Sequence, residues 1–445
     1  MKNQWTNKKD YLEKIRTKKL EISMVGLGYV GLPLAIVLAS KGFNVKGYDT
    51  DKKKVRLLNQ GKSYLGGEKW LEDLIEKAKT FHASSEVDKS GNSDFIAITV
   101  PTPTYENKKP NYDFIRKAGV YVGKNLRKGS LVCLESTVGP GTTEGLLKNT
   151  LESGSKLQAG KDFGLAFSPE RIDPAQENHR LYDIPKVVGG LDELSCDLAA
   201  EVYNQIVPFA HKVANTKEAE LVKLTENVFR DLNIAFVNEL AKVCDLMEVN
   251  VLNIIKAAST KPFAFMPHYP GLVGGHCLPD DPHFLIDEAK NLGFDFRLPR
   301  IAREINDSMS DYVVKKTLDY FARTDKNTKN RKVTILGLTY KENVSDMRNT
   351  LVKEITEKIE EKGIRVVAHD PWVGHTDFIE NQGRIKSALK GTNVAILYIN
   401  HDIFSYLTPS FIAKLAPGAA IIDLKNRYNR NDVEQFGLHY EGIGR

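Results

Sequence analysis

Hydrophobic and polar positions alternate along the first part of the chain in a strand–helix–strand pattern that begins at Glu21. Residues 1–20 are polar and charged, and they predict a short helix or a frayed arm. The apolar segment ISMVG then predicts a strand, an apolar helix follows to about Ser40, and FNVKGYD predicts a second strand that ends at Asp49. This order predicts a parallel sheet with helices packed on its faces.

Further apolar segments predict more strands of the same sheet, at 94–100, 130–135, about 163–167, 184–190 and 205–213. The first three of these segments end in loops of small and polar residues, which read PTPT, STVG and SPER. The carboxyl ends of parallel strands meet at one edge of a sheet, where open α/β folds bind their ligands. These loops therefore predict a ligand site.

Helical spacing replaces this pattern in the middle of the chain. Apolar residues recur at helical intervals over about 215–259 and again over about 299–322, which predicts long helical segments. The polar run 325–330 predicts a surface turn or linker.

The C-terminal third returns to the alternation of strands and helices. KVTILGL, RVVAHDP, NVAILYIN and AAIIDLKN predict the strands of a smaller parallel sheet. The predicted fold class is α/β, with two Rossmann-like doubly wound parallel-sheet domains joined by a helical central segment. We place the three domains at residues 1–214, 215–323 and 324–445.

The turn after the first predicted strand carries the spacing Gly26, Gly28 and Gly31 at the start of a helix. Such glycines permit a tight turn and a close approach of backbone to a pyrophosphate, which the helix N-terminus then binds. Asp49 ends the second strand and is placed for ribose hydroxyls. An acid there repels a 2′-phosphate, which favours NAD over NADP. The first turn of the C-terminal domain, GLTYK, lacks this spacing and indicates a different ligand or a structural role.

Composition narrows the possible functions. The net charge of +6 is spread along the chain without a basic block, so the sequence does not favour nucleic-acid binding. The four cysteines form no CxxC pair, which argues against a zinc site or a disulfide framework and favours a reducing cytoplasm. The apolar run 22–40 is similar to a membrane anchor, but its glycines and the polar strand after it fit a strand and helix instead.

Two further patterns carry candidate chemistry. In GGHCLPDDP (274–282) a cysteine follows two glycines and a histidine, and a thiol in such a loop can act as a nucleophile. The alternative is a small, inert, buried cysteine. Lys223, Asn227 and Arg230 share one face of the long predicted helix, where the alternative is a solvated surface.

A series of motifs resembles, in order, those of the UDP-glucose/GDP-mannose dehydrogenase family, from residue 21 to the end of the chain. They are VGLGYVGLPLA, VPTPT, ESTVGPGTT, SPERIDP, the 220–230 helix, GGHCLPDDP, AREINDSM and GLTYKENVSDMRNT. SPERIDP, ASTKPFAFMPHYPG and GGHC most resemble the branch that acts on UDP-N-acetylhexosamines.

The resemblance implies an enzyme that oxidises the sugar C6 alcohol to a carboxylate and passes two hydrides to two NAD molecules in turn. A cysteine thiolate would form a thiohemiacetal and then a thioester, which water releases as the acid. The best match is UDP-N-acetyl-D-glucosamine, with UDP-N-acetyl-D-mannosamine and UDP-glucose as alternatives. A remoter alternative is a two-electron dehydrogenase of hydroxy acids or sugar phosphates, which needs no nucleophilic cysteine. The family also implies a homodimer or higher homo-oligomer, formed through the central segment.

The resemblance assigns catalytic roles residue by residue. Cys277 would be the nucleophile, and Lys223 would stabilise oxyanionic intermediates. Asn227 would bind the sugar or share that role, Asp281 would position or activate water, Glu170 would serve thioester hydrolysis, and Thr137 would orient a water or contact the nicotinamide.

Binding residues follow from the same resemblance, and no metal is implied. The implied cofactor contacts are Gly26, Gly28, Tyr29, Val30, Gly31, Asp49, Lys54, Thr102, Thr137 and Arg348. The implied substrate contacts are Glu170, Arg171, Lys223, Asn227, Arg230, Lys261, Gly274, His276 and Lys341.

The sequence departs from the family pattern at two positions. Pro174 stands where glucose-type members carry a second glutamate. Asp280 stands where many members carry lysine, and an added negative charge there would disfavour the Cys277 thiolate.

Overall fold

The computed structural model describes residues 5–65, 69–171, 183–261, 263–275, 277–324 and 330–445. Pro174, His276 and all of the predicted linker except Asn330 lie outside the described residues. The chain divides into two compact units, Met1–Glu226 with His283–Phe294, and Asn227–Pro282 with Asp295–Arg445. These units are defined by packing, and the division by function at 1–214, 215–323 and 324–445 stays a prediction.

The first unit is built on a parallel sheet whose described strands run in the order β3-β2-β1-β4-β5-β6-β7-β8. Only the β6–β7 pair in this order is antiparallel. The strands are β1 (Glu21–Val25), β2 (Asn44–Tyr48), β3 (Phe81–Ser84), β4 (Phe95–Ile98), β5 (Leu131–Leu134), β6 (Gly164–Phe167), β7 (Lys186–Gly190) and β8 (Ala210–Lys212). The doubly wound parallel sheet is confirmed. Strand β3 escaped the sequence analysis because it is short and only partly apolar.

The helices of this unit are α1 (Lys8–Arg16), α2 (Gly31–Ser40), α3 (Lys52–Asn59), α4 (Lys69–Lys77), α5 (Asp113–Lys124), α6 (Lys148–Ser155) and α7 (Glu193–Tyr203). Helix α2 is buried from Gly31 to Ala39, which explains why the sequence is apolar around its whole circumference. A turn of π-helix, Thr143–Leu147, precedes α6. Every helix in the described part of the chain is too short or too polar to cross a membrane.

The central helices are α8 (Thr216–Leu246), α9 (Val251–Ala258), α10 (Asp281–Asn291), α11 (Arg297–Asp307) and α12 (Met309–Thr324). The first predicted helical segment is broken between α8 and α9, where Glu248 takes a left-handed φ of 55° and Asn250 caps α9. The second is broken at Ser308.

The second unit contains a parallel sheet in the order β10-β9-β11-β12-β13. Its elements are β9 (Lys332–Leu336), α13 (Val352–Glu360), β10 (Arg365–His369), α14 (Ile385–Leu389), β11 (Val394–Leu397), α15 (Pro409–Leu415), β12 (Ala420–Asp423), α16 (Arg430–Glu434) and β13 (His439–Gly442). All strands of this sheet are parallel, and β10 lies on one side of β9 while β11 lies on the other. The loops after β9 and β11 therefore flank the switch point where such folds bind ligands.

Helices and sheet of the second unit share one apolar core. Val237 and Ala241 of α8 and Val313 of α12 belong to the same buried cluster as Val333 and Ile335 of β9. The residues after Asn227 therefore depend on the C-terminal sheet for their burial. This packing connects the predicted central segment to the smaller domain.

Candidate functional site

The glycine turn after β1 leaves room for a phosphate. Gly26 has a φ of 95°, and a Cβ there would lie 2.8 Å from the carbonyl oxygen of Thr99. A Cβ on Gly31 would lie 2.0 Å from the Gly26 carbonyl oxygen, whereas nothing lies within 4 Å of one on Gly28. No side chain caps α2 at Val30. Open space beside Gly28 and an uncapped helix N-terminus fit a pyrophosphate.

Asp49 is held against this turn by backbone donors. Its carboxylate accepts the N–H of Leu27 at 3.0 Å and the N–H of Asp51 at 2.9 Å. The Lys54 ammonium lies 3.9 Å from the same carboxylate. These contacts hold an acid beside the glycine turn, where the ribose hydroxyls of NAD require one.

Tyr64 is a cofactor-site candidate that the sequence analysis missed. Its hydroxyl donates to the carbonyl of Leu27, inside the glycine turn, and its ring lies 5.0 Å from the Lys54 ammonium. Burial raises the pKa of Tyr64, which keeps the phenol protonated as a donor. It lies in a polar segment without periodic apolar positions, so no pattern marked it.

The C-terminal sheet repeats this turn with a different result. Gly337 follows β9 with a φ of 88°, and the next N–H, of Leu338, bonds to the Asp370 carboxylate at 2.7 Å. Asp370 is buried and also pairs with the His401 Nε2 at 3.1 Å. Because His401 Nδ1 accepts the N–H of Asn343, the neutral ring carries its proton on Nε2 and donates it to Asp370. The Asp370 carboxylate therefore stabilises the fold of this domain.

Loops at the carboxyl edge of the first sheet lie as predicted. Thr102 follows β4 and Thr137 follows β5, and both are partly buried. The Ser136 hydroxyl donates to the Val100 carbonyl at 2.7 Å and joins the two loops.

Arg171 is anchored inside the first unit. Its guanidinium binds both carboxylate oxygens of Glu226, at 2.6 and 3.2 Å, and donates to the Pro185 carbonyl at 2.7 Å. This bidentate pair connects the loop after β6 to α8. The predicted substrate contact of Arg171 stays a prediction.

Glu220 anchors the first turns of α8. Its carboxylate accepts the N–H of Gly141 at 2.5 Å, the N–H of Thr143 at 2.9 Å and the Thr143 hydroxyl at 2.6 Å. Burial raises the pKa of Glu220 to about 7, against the opposing effect of these donors. Lys223 lies one turn further along α8, so this anchor sets its position relative to the loop that follows Thr137.

Further along α8, Asn227 meets Asp281. The Asn227 amide donates to the Asp281 carboxylate, which is buried at the first turn of α10. The structure therefore pairs two of the predicted catalytic residues. Arg230 lies on the same helix and is exposed.

Cys277 differs from the other cysteines, all of which lie in the described part of the chain. It is exposed, whereas Cys133, Cys196 and Cys244 are buried, and burial raises the pKa of each of those three thiols. The Cys277 carbonyl accepts the N–H of Asp280 at 3.2 Å and that of Asp281 at 2.8 Å. This turn places the cysteine directly before α10.

The glycines before Cys277 pack on the C-terminal domain. A Cβ on Gly274 would lie 2.9 Å from that of Tyr340, and a Cβ on Gly275 would lie 2.9 Å from the Tyr340 ring. Gly275 also has a φ of 85°, and its N–H donates to the Arg348 carbonyl at 3.2 Å. These glycines are thus required for packing against Tyr340, a reason that the sequence did not reveal.

Asp280 is bound on the same side of the loop. Asn349 Nδ2 lies 3.0 Å from the Gly275 carbonyl oxygen and 3.4 Å from the Asp280 carboxylate. Asp280 is buried beside Asn349.

The remaining predicted binding residues lie apart along the second unit. Lys341 follows β9 and is partly buried, and its carbonyl accepts the Thr339 hydroxyl at 2.7 Å. Arg348 binds Asp346 with its guanidinium, at distances of 2.6 to 3.0 Å. Lys261 is exposed and lies 5.4 Å from the Phe263 ring.

Lys425 is a second candidate that the sequence analysis missed. It follows β12 at the carboxyl edge of the smaller sheet, and it is exposed there. The end of the predicted strand AAIIDLKN was the available signal, because cations at such an edge bind phosphates. Among the described residues, no group of His, Cys, Asp and Glu side chains is arranged to hold a metal ion.

The dinucleotide turn with its acidic partner defines an NAD-binding domain, and the switch in strand order of the second parallel sheet is typical of a further nucleotide-binding domain. The chain belongs to the UDP-glucose/GDP-mannose dehydrogenase family. The family's NAD binding domain matches residues 20–207, its central domain residues 217–308 and its UDP binding domain residues 334–430. The predicted family and cofactor are confirmed, and a UDP-sugar substrate is supported.

Similar proteins include more than one substrate type. The UDP-N-acetyl-D-glucosamine 6-dehydrogenase of Pseudomonas aeruginosa is 36% identical, over 92% of this chain and 97% of that protein. The UDP-N-acetyl-D-mannosamine dehydrogenase of Methanocaldococcus jannaschii is 34% identical, over 95% and 96%. The solved UDP-D-ManNAc dehydrogenase of Pyrococcus horikoshii aligns with a TM-score of 0.87 and 32% identity, over 96% of this chain and 99% of that one.

Replacing Glu220 is expected to change how stability depends on pH. A buried carboxyl whose pKa rises from 4.5 to about 7 binds its proton more tightly in the folded state. Its contribution to the free energy of unfolding is therefore complete below pH 4.5 and falls by about 3 kcal/mol as the pH rises to 7. Glu220→Gln should flatten this slope in denaturant unfolding, and the exposed Glu239→Gln on the same helix should not. Equal slopes in all three proteins would contradict the assignment.

Removing the Asn349 side chain is expected to loosen the cysteine loop. Asn349→Gly keeps the left-handed φ of 48° but removes the donor to Gly275 and Asp280. Cys277 is the predicted nucleophile, and a displacement of about 1 Å at a reacting group lowers turnover by about 100-fold, so kcat should fall by at least about 10-fold while NAD binding persists. Asn330→Gly is the matched control, because Asn330 also has a left-handed φ, of 66°, and is exposed. Unchanged kcat and unchanged alkylation of Cys277 by iodoacetamide would refute this role.

Proposed function

We propose that this protein oxidises a UDP-N-acetylhexosamine, best matched by UDP-N-acetyl-D-glucosamine, at C6 to the uronic acid, for surface polysaccharide or glycan precursor synthesis. The observation that carries the proposal is the exposed Cys277 on a loop packed against Tyr340 and Asn349, next to the Asn227–Asp281 pair. UDP-N-acetyl-D-mannosamine and UDP-glucose are the alternative substrates. The names of the similar proteins include both N-acetylated sugars.

The residues of the chain form the covalent bond to the sugar, stabilise its charge and orient the reactants. Bound NAD supplies the hydride acceptor for both oxidations. The Cys277 thiolate bonds to the aldehyde carbon of the half-oxidised sugar, and the Lys223 ammonium stabilises the resulting oxyanion. Asn227 and Asp281 orient the sugar and the water. After the second oxidation, water attacks the thioester and the acid leaves.

Each domain has a proposed role. Residues 1–214 bind NAD, 215–323 supply catalytic residues and an oligomer contact, and 324–445 bind the UDP-sugar. Exposed apolar side chains on and after α8, such as Phe236, Leu246 and Met247, support a homodimer or higher homo-oligomer, which sedimentation of the purified protein tests. The four cysteines form no CxxC pair, which supports a reducing cytoplasm as the location.

The stoichiometry of NADH distinguishes this function from a two-electron dehydrogenase. Incubation with NAD and each of UDP-N-acetyl-D-glucosamine, UDP-N-acetyl-D-mannosamine, UDP-N-acetyl-D-galactosamine and UDP-glucose is followed by absorbance. The preferred sugar should give two NADH per sugar consumed, because an alcohol becomes a carboxylate. One NADH per sugar with free aldehyde would refute the four-electron reaction.

Replacement of the cysteine tests the covalent step. Cys277→Ser should lower kcat on the order of 10³-fold or more, because the hydroxyl is a far weaker nucleophile at neutral pH. Titration with NAD should give the wild-type Kd, since the glycine turn and Asp49 are intact. A variant that keeps full turnover would favour the two-electron alternative.

A further inference from the structure

A buried group of charges lies at the carboxyl edge of the first sheet, apart from the residues assigned above. Lys186 and Glu135 are almost fully buried, with side-chain exposures of 4% and 0%, and Tyr203 is buried beside them. Buried charges are retained only where partners compensate their lost hydration. This group therefore needs an explanation.

The topology of the sheet brings these residues together. Glu135 follows β5 directly, and Glu170 lies in the loop after β6. Strand β7 runs antiparallel to β6, so its first residue, Lys186, lies at the edge where β5 and β6 end. A parallel β7 would place this lysine at the opposite edge.

The ammonium of Lys186 bridges the two carboxylates unequally. Its Nζ lies 2.7 Å from Glu135 Oε2 and 3.4 Å from Glu170 Oε2. The Tyr203 hydroxyl donates to Glu135 Oε1 at 2.7 Å, and the Tyr203 ring lies 4.8 Å from Nζ. Glu135 thus has both oxygens bound, while Glu170 is held by a longer contact and by the N–H of Arg171 at 2.6 Å.

Charge balance explains why two acids surround one lysine. Burial lowers the pKa of Lys186, but the carboxylates of Glu135 and Glu170 outweigh that effect and raise it, so the ammonium persists. The ammonium lies closer to Glu135 than to Glu170, so Glu135 is its nearer partner and Glu170 is held at the longer contact.

We propose that Lys186 is a positioning residue for Glu170 in thioester hydrolysis, with Glu135 and Tyr203 as its fixed partners. This inference rests on the proposed function. Lys186 holds one carboxylate oxygen of Glu170, and the other stays on the backbone of its own loop. The buried Lys186 therefore sets the position of the Glu170 carboxylate.

The step that this arrangement serves is balanced without a further reactant. The oxygen of water bonds to the acyl carbon of the thioester, and Glu170 takes one of its protons. The carbon–sulfur bond then breaks, its electron pair stays on the sulfur of Cys277, and the uronic acid is released. Glu170 returns its proton to solvent or to the thiolate.

The test separates hydrolysis from the oxidations before it. In Lys186→Met, a fast burst of NADH should persist while steady-state turnover falls by at least about 10-fold. Intact mass spectrometry after rapid quenching should then find the uronyl thioester on Cys277. Glu170→Gln should accumulate the same adduct, and Lys212→Met, an exposed lysine on β8, should not.

A second variant keeps the test decisive if Lys186→Met does not fold. Lys186→Met/Glu135→Gln removes both buried charges and leaves Glu170 without its tether, so the adduct should still accumulate. Turnover equal to wild type, or a burst slowed as much as the steady state, would overturn the positioning role. A wild-type protein that releases no NADH with any UDP-sugar would instead refute the proposed function, and this inference with it.

Discussion

One backbone constraint recurs in both sheets, and it fixes the first turn of each. After its first strand, each sheet turns at a glycine of positive φ, Gly26 or Gly337, and the next N–H bonds to an aspartate that follows the neighbouring strand. In the first sheet Asp49 remains partly accessible beside open space at Gly28. In the second, Asp370 is buried against His401. The same turn therefore leaves an accessible acid beside open space in one domain, as the predicted cofactor site requires, and a buried, paired acid in the other.

The predicted catalytic residues are held by contacts that lie outside the predicted site. Glu220 fixes the turn of α8 that precedes Lys223, and Asn349 with Tyr340 fixes the loop of Cys277. Each anchor uses backbone groups of a glycine-containing loop as its partner. Since glycines leave the backbone accessible and permit close packing, the loops that precede the predicted catalytic residues can be held by side chains from distant parts of the chain.

The packing of Asp280 changes how this residue is interpreted. From the sequence it appeared as a negative charge beside a thiolate. In the structure it is buried and bound to Asn349, so it belongs to the contact between the cysteine loop and the C-terminal domain. The electrostatic effect of a charged residue depends on the groups around it, and Asn349, which lies beside Asp280, is distant from it in the chain.

The sequence by itself determined the two parallel sheets, the dinucleotide turn and the set of motif residues, because strand periodicity, glycine spacing and Asp49 are local features. Tertiary structure decided the rest. The short strands β3 and β13 and the break at Glu248 depend on neighbouring elements, and the Lys186–Glu135 pair exists only because β7 reverses direction. Tyr64 likewise reaches Leu27 across the fold. Such contacts join residues far apart in the chain, and no local pattern encodes the strand order that brings them together.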